Sequence, residues 1–279
     1  MRLLVFFVTA LGLYAQTPDE VAWRIVENGV HEGNPIKRSQ AILALSLVQP
    51  TPRPVALLIN ALDDKDAEVR EAACATLGQI KARAAIPKLR IAIADPVPEV
   101  TFGAAKALYN MGDQTGIDVM MSVLLGEQPD SSGFISGSIR SMKLKLHDPK
   151  ALFMMGIREG AGFAGPFGMG VPITEGLMKD NQAPGKTVAA LLLASDRSPQ
   201  SLEALKEALV EKNWTVRAAA ARAIAQREAT ALYDNVAMLL NDRREEVQFS
   251  AAAAVIRLKQ PASAPTPPTR HGRKNLAAR

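Results

Sequence analysis

Small and medium-sized apolar residues recur at helical spacing through most of this chain, and the stretch from Asp63 to Ile80 shows the pattern most clearly. Its apolar residues follow one another at intervals of three and four positions, which predicts an amphipathic helix. The same positions return 31 residues later, and the set returns again near the end of the chain. The pattern begins in these four segments at Val69, Val100, Val216 and Val247. A constant offset of this size indicates a stack of helical repeats.

Polar and proline-rich breaks divide the repeats into helix pairs. Thr17, Pro18 and Glu20 have the spacing of a capping box, which predicts that the first helix begins here. Prolines at positions 50, 52 and 54 predict a break before the third helix, which we expect over residues 55–62. We expect about seven antiparallel pairs. The second helices of the four clearest pairs are predicted over residues 66–80, 97–111, 213–226 and 244–259.

Four segments carry a family resemblance. They are DDKDAEVREAACATLGQI, DPVPEVTFGAAKALYNM, NWTVRAAAARAIA and DRREEVQFSAAAAVI. They resemble HEAT repeats of the short type that is also found in phycobilisome lyases, and the resemblance covers roughly residues 19–259. It implies an all-α fold, a right-handed α-solenoid or HEAT-like superhelix whose second helices line the concave face. It implies no reaction, since HEAT arrays mostly act as binding scaffolds.

The resemblance also implies a role for an arginine near the start of each second helix. In that family this arginine follows a valine and often pairs with an acidic loop between helices. Arg70 and Arg217 match the pattern, whereas Thr101 and Gln248 stand at the same place in two other repeats. A charge ladder that runs unbroken along the stack is therefore not expected.

The net charge of +5 comes from the two ends of the chain. Of the 33 Lys and Arg residues, one precedes Thr17 and four follow Lys259, which leaves 28 in the repeats, equal to the 28 acids that all lie there. The repeat region is thus formally neutral and gives no support to specific nucleic-acid binding. Aromatic residues make up only 5% of the chain, which favours close helix packing over a strand-rich fold.

The two ends have compositions unlike the repeats. Residues 1–16 combine an early arginine with an apolar run over residues 3–13, which is too short to span a bilayer and typical of a secretory signal peptide. We therefore expect an exported protein, periplasmic or secreted, without a transmembrane segment after cleavage. A cytosolic scaffold that keeps an ordinary N-terminal helix is the alternative. Residues 260–279 are proline-rich and then basic, and we expect a disordered tail.

Residues 156–176 interrupt the repeats with seven glycines and two prolines. A passive insertion explains this composition, and a binding loop is the alternative. In the second case Phe163, Phe167 and Met169 would form an apolar grip for a partner. Glycines at 160, 162 and 165 match the spacing of a dinucleotide-binding loop, but a helix is predicted before them and a proline follows, so we do not expect nucleotide binding.

The residues of catalytic and metal sites are scarce. The only cysteine, Cys74, follows two alanines on a predicted helix, which indicates a buried position. Three histidines are too few and too scattered for a metal cluster. Carboxylates are plentiful but stand at helix starts, where the helix dipole favours them. We expect no catalytic residues, no cofactor and no metal.

The remaining candidates are basic residues on the predicted second helices. We predict that they face the concave surface and bind a protein or peptide partner, and a solvated helix face is the alternative. These residues are Arg70, Lys106, Arg140, Arg217 and Arg222. The leading hypothesis is an exported scaffold that binds a partner through this face. The second is a tetrapyrrole-handling protein or enzyme of the phycobilin-lyase type.

Overall fold

The computed structural model describes residues 16–125 and 183–261, in which the chain forms twelve α-helices and no strand. The N-terminal helices are α1 Pro18–Val30, α2 Pro35–Ala44, α3 Pro52–Ala61, α4 Ala67–Gln79, α5 Ile86–Ala92, α6 Pro98–Asn110 and α7 Gln114–Leu125. The C-terminal helices are α8 Ala183–Leu192, α9 Pro199–Ala208, α10 Trp214–Arg227, α11 Tyr233–Ala237 and α12 Glu245–Lys259. The predicted all-helical repeat architecture is confirmed.

Side-chain caps define where the helices begin. The hydroxyl of Thr17 accepts a hydrogen bond from the Glu20 N–H, and the Glu20 carboxylate accepts one from the Thr17 N–H, which completes the predicted capping box. Side chains of Asn34, Asp66 and Asn213 each accept a hydrogen bond from the N–H two residues later. These bonds satisfy amide groups that have no partner within a helix.

Helix α3 begins earlier than its sequence predicts. Pro52 and Pro54 lie in its first turn, where the missing N–H groups would have had no partner inside the helix. The three prolines therefore separate α2 from α3 but do not exclude the helix from residues 52–54.

Short turns of 3-10 helix precede or follow several of the α-helices. Five such turns occur among the described residues, at Leu45–Leu47, Arg83–Ala85, Leu193–Ser195, Thr230–Leu232 and Met238–Asn241. Residues 230–241 thus form one turn and a half of α-helix between two 3-10 segments. The 3-10 geometry tightens helix ends and brings the chain around between paired helices.

The second helices form two runs that meet at the centre of the described structure. In one run α2 packs on α4 and α4 on α6, and in the other α8 packs on α10 and α10 on α12. Helix α7, which follows α6 in the chain, packs on α6. Helix α12 also packs against α1 and α2, so the last unit stacks on the first. Gly29 of α1 lies directly against the ring of Phe249, and Lys37 forms an ion pair with Glu245 at 2.7 Å.

Small residues allow the second helices to approach one another closely. A Cβ atom at Gly78 would lie 2.7 Å from the backbone of Ala107, so only glycine fits at this contact between α4 and α6. Helices α10 and α12 are rich in alanine, and the alanines at positions 218–221 and 251–254 are fully or almost fully buried. The buried side chains form one core that extends from Ala22 to Leu258.

Several predicted segments lie outside the described residues. These are nearly all of the predicted signal peptide, the insertion at residues 156–176 and most of the tail. Among the described helices, none is long and apolar enough to cross a membrane.

Candidate partner-binding surface

The arginines near the starts of α4 and α10 bind the next unit. Arg70 donates two hydrogen bonds to the carboxylate of Asp95, at 2.7 and 2.9 Å, and a third to the carbonyl of Asp64. Arg217 repeats this arrangement with Asp242, at 2.7 and 2.8 Å. Both guanidinium groups are largely buried, so their main contacts lie within the protein. The pairing with an acidic loop that the resemblance implied is present at both positions.

A third arginine of this kind was missed in the sequence. Arg38 donates to both carboxylate oxygens of Asp64 and to the carbonyls of Glu32 and Gly33. Burial alone would raise the pKa of Asp64, but the hydrogen bonds from Arg38 and a backbone N–H hold that pKa below its usual value. The available signal was an arginine four residues after a helix-capping asparagine, as in Arg217 after Asn213.

The two departures from the arginine pattern keep part of its hydrogen bonding. Thr101 donates its hydroxyl to the carbonyl of Asp95, and Gln248 donates its amide to the carbonyl of Asp242. Each acceptor lies six residues before the donor, as Asp64 does for Arg70. Repeats without the arginine therefore lose the ion pair to the next unit but keep the bond that closes the inter-helix turn.

A second row of residues lies on α2, α4, α6, α10 and α12, in each case five residues after the arginine or the residue that replaces it. We call it the fifth-position row; it comprises Leu43, Ala75, Lys106, Arg222 and Ala253. Ala75 and Lys106 are exposed, Leu43 is half-buried, and Arg222 and Ala253 are buried. The row is therefore open to solvent on α4 and α6 and covered on α10 and α12.

Arg222 is the unusual member of this row. Its side chain is only 4% exposed, and its Nε atom is buried without a hydrogen-bond partner. Burial lowers the pKa of Arg222 to about 10, so the group stays charged at neutral pH. One helical turn away, the buried Oε1 atom of Gln226 also has no hydrogen-bond partner.

On α6 the open part of the row lies beside two aromatic residues, Phe102 and Tyr109. Phe102, Lys106 and Tyr109 follow one another at intervals of four and three residues, so they share one face of α6. Tyr109 is 53% exposed and Phe102 is half-buried. An exposed aromatic ring next to a basic group is a common composition of protein interfaces.

Four of the predicted partner-binding residues fall outside the described part of the chain: Arg140, Phe163, Phe167 and Met169. Of the other four, Arg70 and Arg217 lie at the unit boundaries, and Lys106 and Arg222 lie in the fifth-position row. The first two form ion pairs with the next unit. Of the other two, Lys106 is exposed and Arg222 is buried.

The described residues contain no group of three or more His, Cys, Asp or Glu side chains arranged to hold a metal ion. Cys74 is fully buried, and burial raises the pKa of its thiol to about 12. A thiol with this pKa is almost entirely protonated at neutral pH and is a poor nucleophile.

Comparison with known families agrees with the repeat geometry. A family model described as HEAT repeats matches three ranges, residues 25–101, 55–132 and 171–257, of which the first two overlap. These matches cover well over half of the chain. The chain belongs to the HEAT-repeat family. The third range spans α8 to α12, so the HEAT assignment includes both runs of second helices.

Solved structures of similar folds are distant from this HEAT-repeat chain. The complex of CpcE and CpcF, a phycocyanin lyase from Nostoc sp. PCC7120, is 16% identical with a TM-score of 0.33, and the match covers 90% of this chain and 99% of that one. Human deoxyhypusine hydroxylase in complex with glycerol is 19% identical with a TM-score of 0.31, over 87% and 85% of the two chains. An engineered protein is 17% identical with a TM-score of 0.27, over 86% and 96%. A search of curated proteins by sequence found no match.

Proposed function

We propose that this protein is an exported HEAT-repeat scaffold that binds a protein or peptide partner through the surface of its second helices, the concave face of the array, without catalysis. The observation that supports this most directly is the open aromatic and basic face of α6. Phe102, Lys106 and Tyr109 provide apolar area and positive charge on one side of a helix whose other side packs on α4 and α7. Aromatic residues of this kind often supply much of the binding energy of an interface.

The arrangement of charges supports the same proposal. Arg70 and Arg217 bind acidic residues of the next unit and fix the relative positions of the second helices. A rigid stack presents side chains such as Tyr109 at fixed spacing, which reduces the conformational entropy lost when a partner binds.

Affinity capture from the envelope fraction of the source cells tests the proposal. The wild-type protein, Tyr109→Ser and Met238→Ser are used as baits, and captured proteins are quantified by mass spectrometry. Met238 is the matched control because it is 74% exposed but belongs to the first-helix layer. We expect a partner that is retained by wild type and Met238→Ser and is depleted with Tyr109→Ser. A capture profile that is the same for all three baits contradicts the proposal.

Export is tested separately, by N-terminal sequencing of the native protein. A mature N-terminus close to Thr17 supports removal of the apolar leader, whereas an intact Met1 favours the cytosolic alternative. The tetrapyrrole-handling alternative stays a prediction from the sequence. Mixing the protein with a free bilin and recording the absorption spectrum tests it, since a bound and twisted chromophore changes its band positions.

A further inference from the structure

Arg222 differs from the other buried arginines of the described residues in having no partner. Arg38 binds Asp64, Arg227 donates to the Ser201 hydroxyl and the Ser198 carbonyl, and Arg257 binds Glu228 at 2.5 Å. No hydrogen bond or ion pair to Arg222 is present in the described structure, and its Nε–H is buried. A buried charge without a counter-charge is strongly unfavourable, and such groups are normally paired.

Gln226 adds a second unsatisfied atom on the same face of α10. Residues four apart on a helix lie on the same face, and the Oε1 acceptor of Gln226, like the Nε–H donor of Arg222, is buried without a hydrogen-bond partner. A ligand that brings a negatively charged acceptor and a hydrogen-bond donor would satisfy both atoms. A carboxylate and a neighbouring peptide N–H meet both requirements, and charge-assisted bonds to guanidinium are among the strongest hydrogen bonds.

The surroundings of α10 limit the size of such a ligand. The 3-10 helix Leu45–Leu47, at the end of α2, contacts both α10 and α12, so three units converge beside α10. Arg222 and Ala253 are covered, whereas Ala75 and Lys106 in the same row are exposed. A docked helix cannot contact a covered residue, so the ligand considered for Arg222 is a single side chain.

We propose that Arg222 and Gln226 form a receptor for one acidic side chain of the bound partner, with the carboxylate on the Arg222 guanidinium and a backbone N–H of the partner on the Gln226 carbonyl. This inference rests on the proposed scaffold function and adds the chemistry of the partner: a peptide segment with an Asp or Glu as its anchor. The exposed face at Tyr109 contacts the more distant part of the same partner.

Selection from a phage-displayed library of random dodecapeptides tests the proposal with a defined probe. The baits are the full chain, Arg222→Met, Arg222→Lys and Gln226→Leu, and Arg243→Gln is the control because Arg243 is an exposed arginine. We expect wild type and Arg243→Gln to enrich peptides with Asp or Glu at one fixed position. With Arg222→Met this preference is lost, and the affinity of a selected peptide measured by fluorescence anisotropy falls by about 10- to 100-fold.

The remaining variants keep the test informative if Arg222→Met does not fold. Arg222→Lys keeps the charge but not the Nε geometry, so we expect a partial loss, and Gln226→Leu should weaken binding without removing the acidic preference. Enriched peptides that lack an acidic position, or an acidic preference that survives in Arg222→Met, overturn the inference and leave the scaffold function standing. The absence of any enriched peptide counts against both. Competition by free glutamate distinguishes a small acid from a peptide, and full displacement at low concentration overturns the peptide assignment.

Discussion

Arg70 of one unit holds Asp95 of the next through two parallel hydrogen bonds, and its remaining donors close the turn of its own unit. The bonds measure 2.7 and 2.9 Å, and both side chains are mostly shielded from solvent. The hydrogen bonds to Asp95 raise the pKa of Arg70 above its usual value, so the guanidinium carries its charge throughout the accessible pH range. This one residue therefore couples the fold of a repeat to the docking of its neighbour.

Replacement of Arg70 by glutamine should destabilise the protein by about 3 kcal/mol, because it removes the counter-charge and two hydrogen bonds from the shielded Asp95 carboxylate. Urea unfolding followed by circular dichroism measures this loss. The double variant Arg70→Gln with Asp95→Asn should lose less than the sum of the two single changes. Glu203→Gln is the control, since its pair with Lys206 is exposed and should contribute little. Additive single changes would argue against a coupled pair.

The sequence predicted the second helices well because their signal is local and repeated. The ranges 66–80 and 97–111 correspond to Ala67–Gln79 and Pro98–Asn110, and the differences lie at the capping residues. Apolar spacing fixes the buried face of a helix, and polar or proline-rich breaks fix its ends.

One feature of the fold and one of the candidate site were not predictable in this way. The contact of α1 with α12 joins positions far apart in the chain, and no periodic pattern records such a pairing. The burial of Arg222 was also hidden, because Lys106 at the same repeat position is exposed. Burial of a charged residue depends on which units converge around it, which is a property of the whole stack.

Low pH should weaken the ion pairs between neighbouring repeats and so lower the stability of the protein in a defined pH range. The pKa of Asp64 is lower in the folded protein than its usual value of 3.8, so the folded state binds fewer protons than the unfolded state. The stability from this group is complete well above pH 4 and is lost as the pH falls below 3.8 through the folded pKa. Asp242 has the same direction of shift for the same physical reasons.

The variant Asp64→Asn tests this pH dependence. It should be less stable than wild type by about 3 kcal/mol at pH 7, and the difference should shrink as the pH is lowered through this range. Urea unfolding at several pH values from 7 to 2.5 provides the comparison. A difference that stays constant with pH would show that the Asp64 charge does not carry the effect.

The turns after three second helices share a left-handed residue, which predicts a stabilising change. Lys81 and Glu228 have φ values of 52° and 57°, and Gly112 has a φ of 71° at the corresponding place after α6. A side chain in this conformation costs about 1 kcal/mol relative to glycine. Lys81→Gly should therefore raise the melting temperature, and Gly112→Ala should lower it. Gly33→Ala is the control, because Gly33 is uncrowded and has no positive φ. A lower melting temperature for Lys81→Gly would contradict the idea that Lys81 is strained.

Cys74 should be unreactive in the folded protein. It is buried in α4, and its thiol pKa of about 12 leaves very little thiolate at pH 8. Ellman's reagent should modify none of the native protein over minutes and one thiol per chain in urea, because the chain has one cysteine. Rapid modification under native conditions would mean that α4 opens locally or that Cys74 is accessible.

Contact between the first and last units gives the most distinctive prediction of the fold. A Cβ atom at Gly29 would lie 2.4 Å from Cε1 of Phe249, so Gly29→Ala should destabilise the protein by roughly 2 kcal/mol through this clash. Phe249→Ala should destabilise it by about 3 kcal/mol because the ring is buried. In the double variant the smaller side chain at position 249 admits the new methyl group, and the combined loss should be at least about 1 kcal/mol below the sum.

The control pair for this experiment is Gly29→Ala with Phe102→Ala, since Phe102 lies on α6, which packs on α4, α5 and α7. These two changes should be additive. Coupling between positions 29 and 249 but not between 29 and 102, measured by urea unfolding, would establish that α12 stacks on α1. Additivity of both pairs would instead place the last unit away from the first, and the two runs of second helices would then be separate stacks.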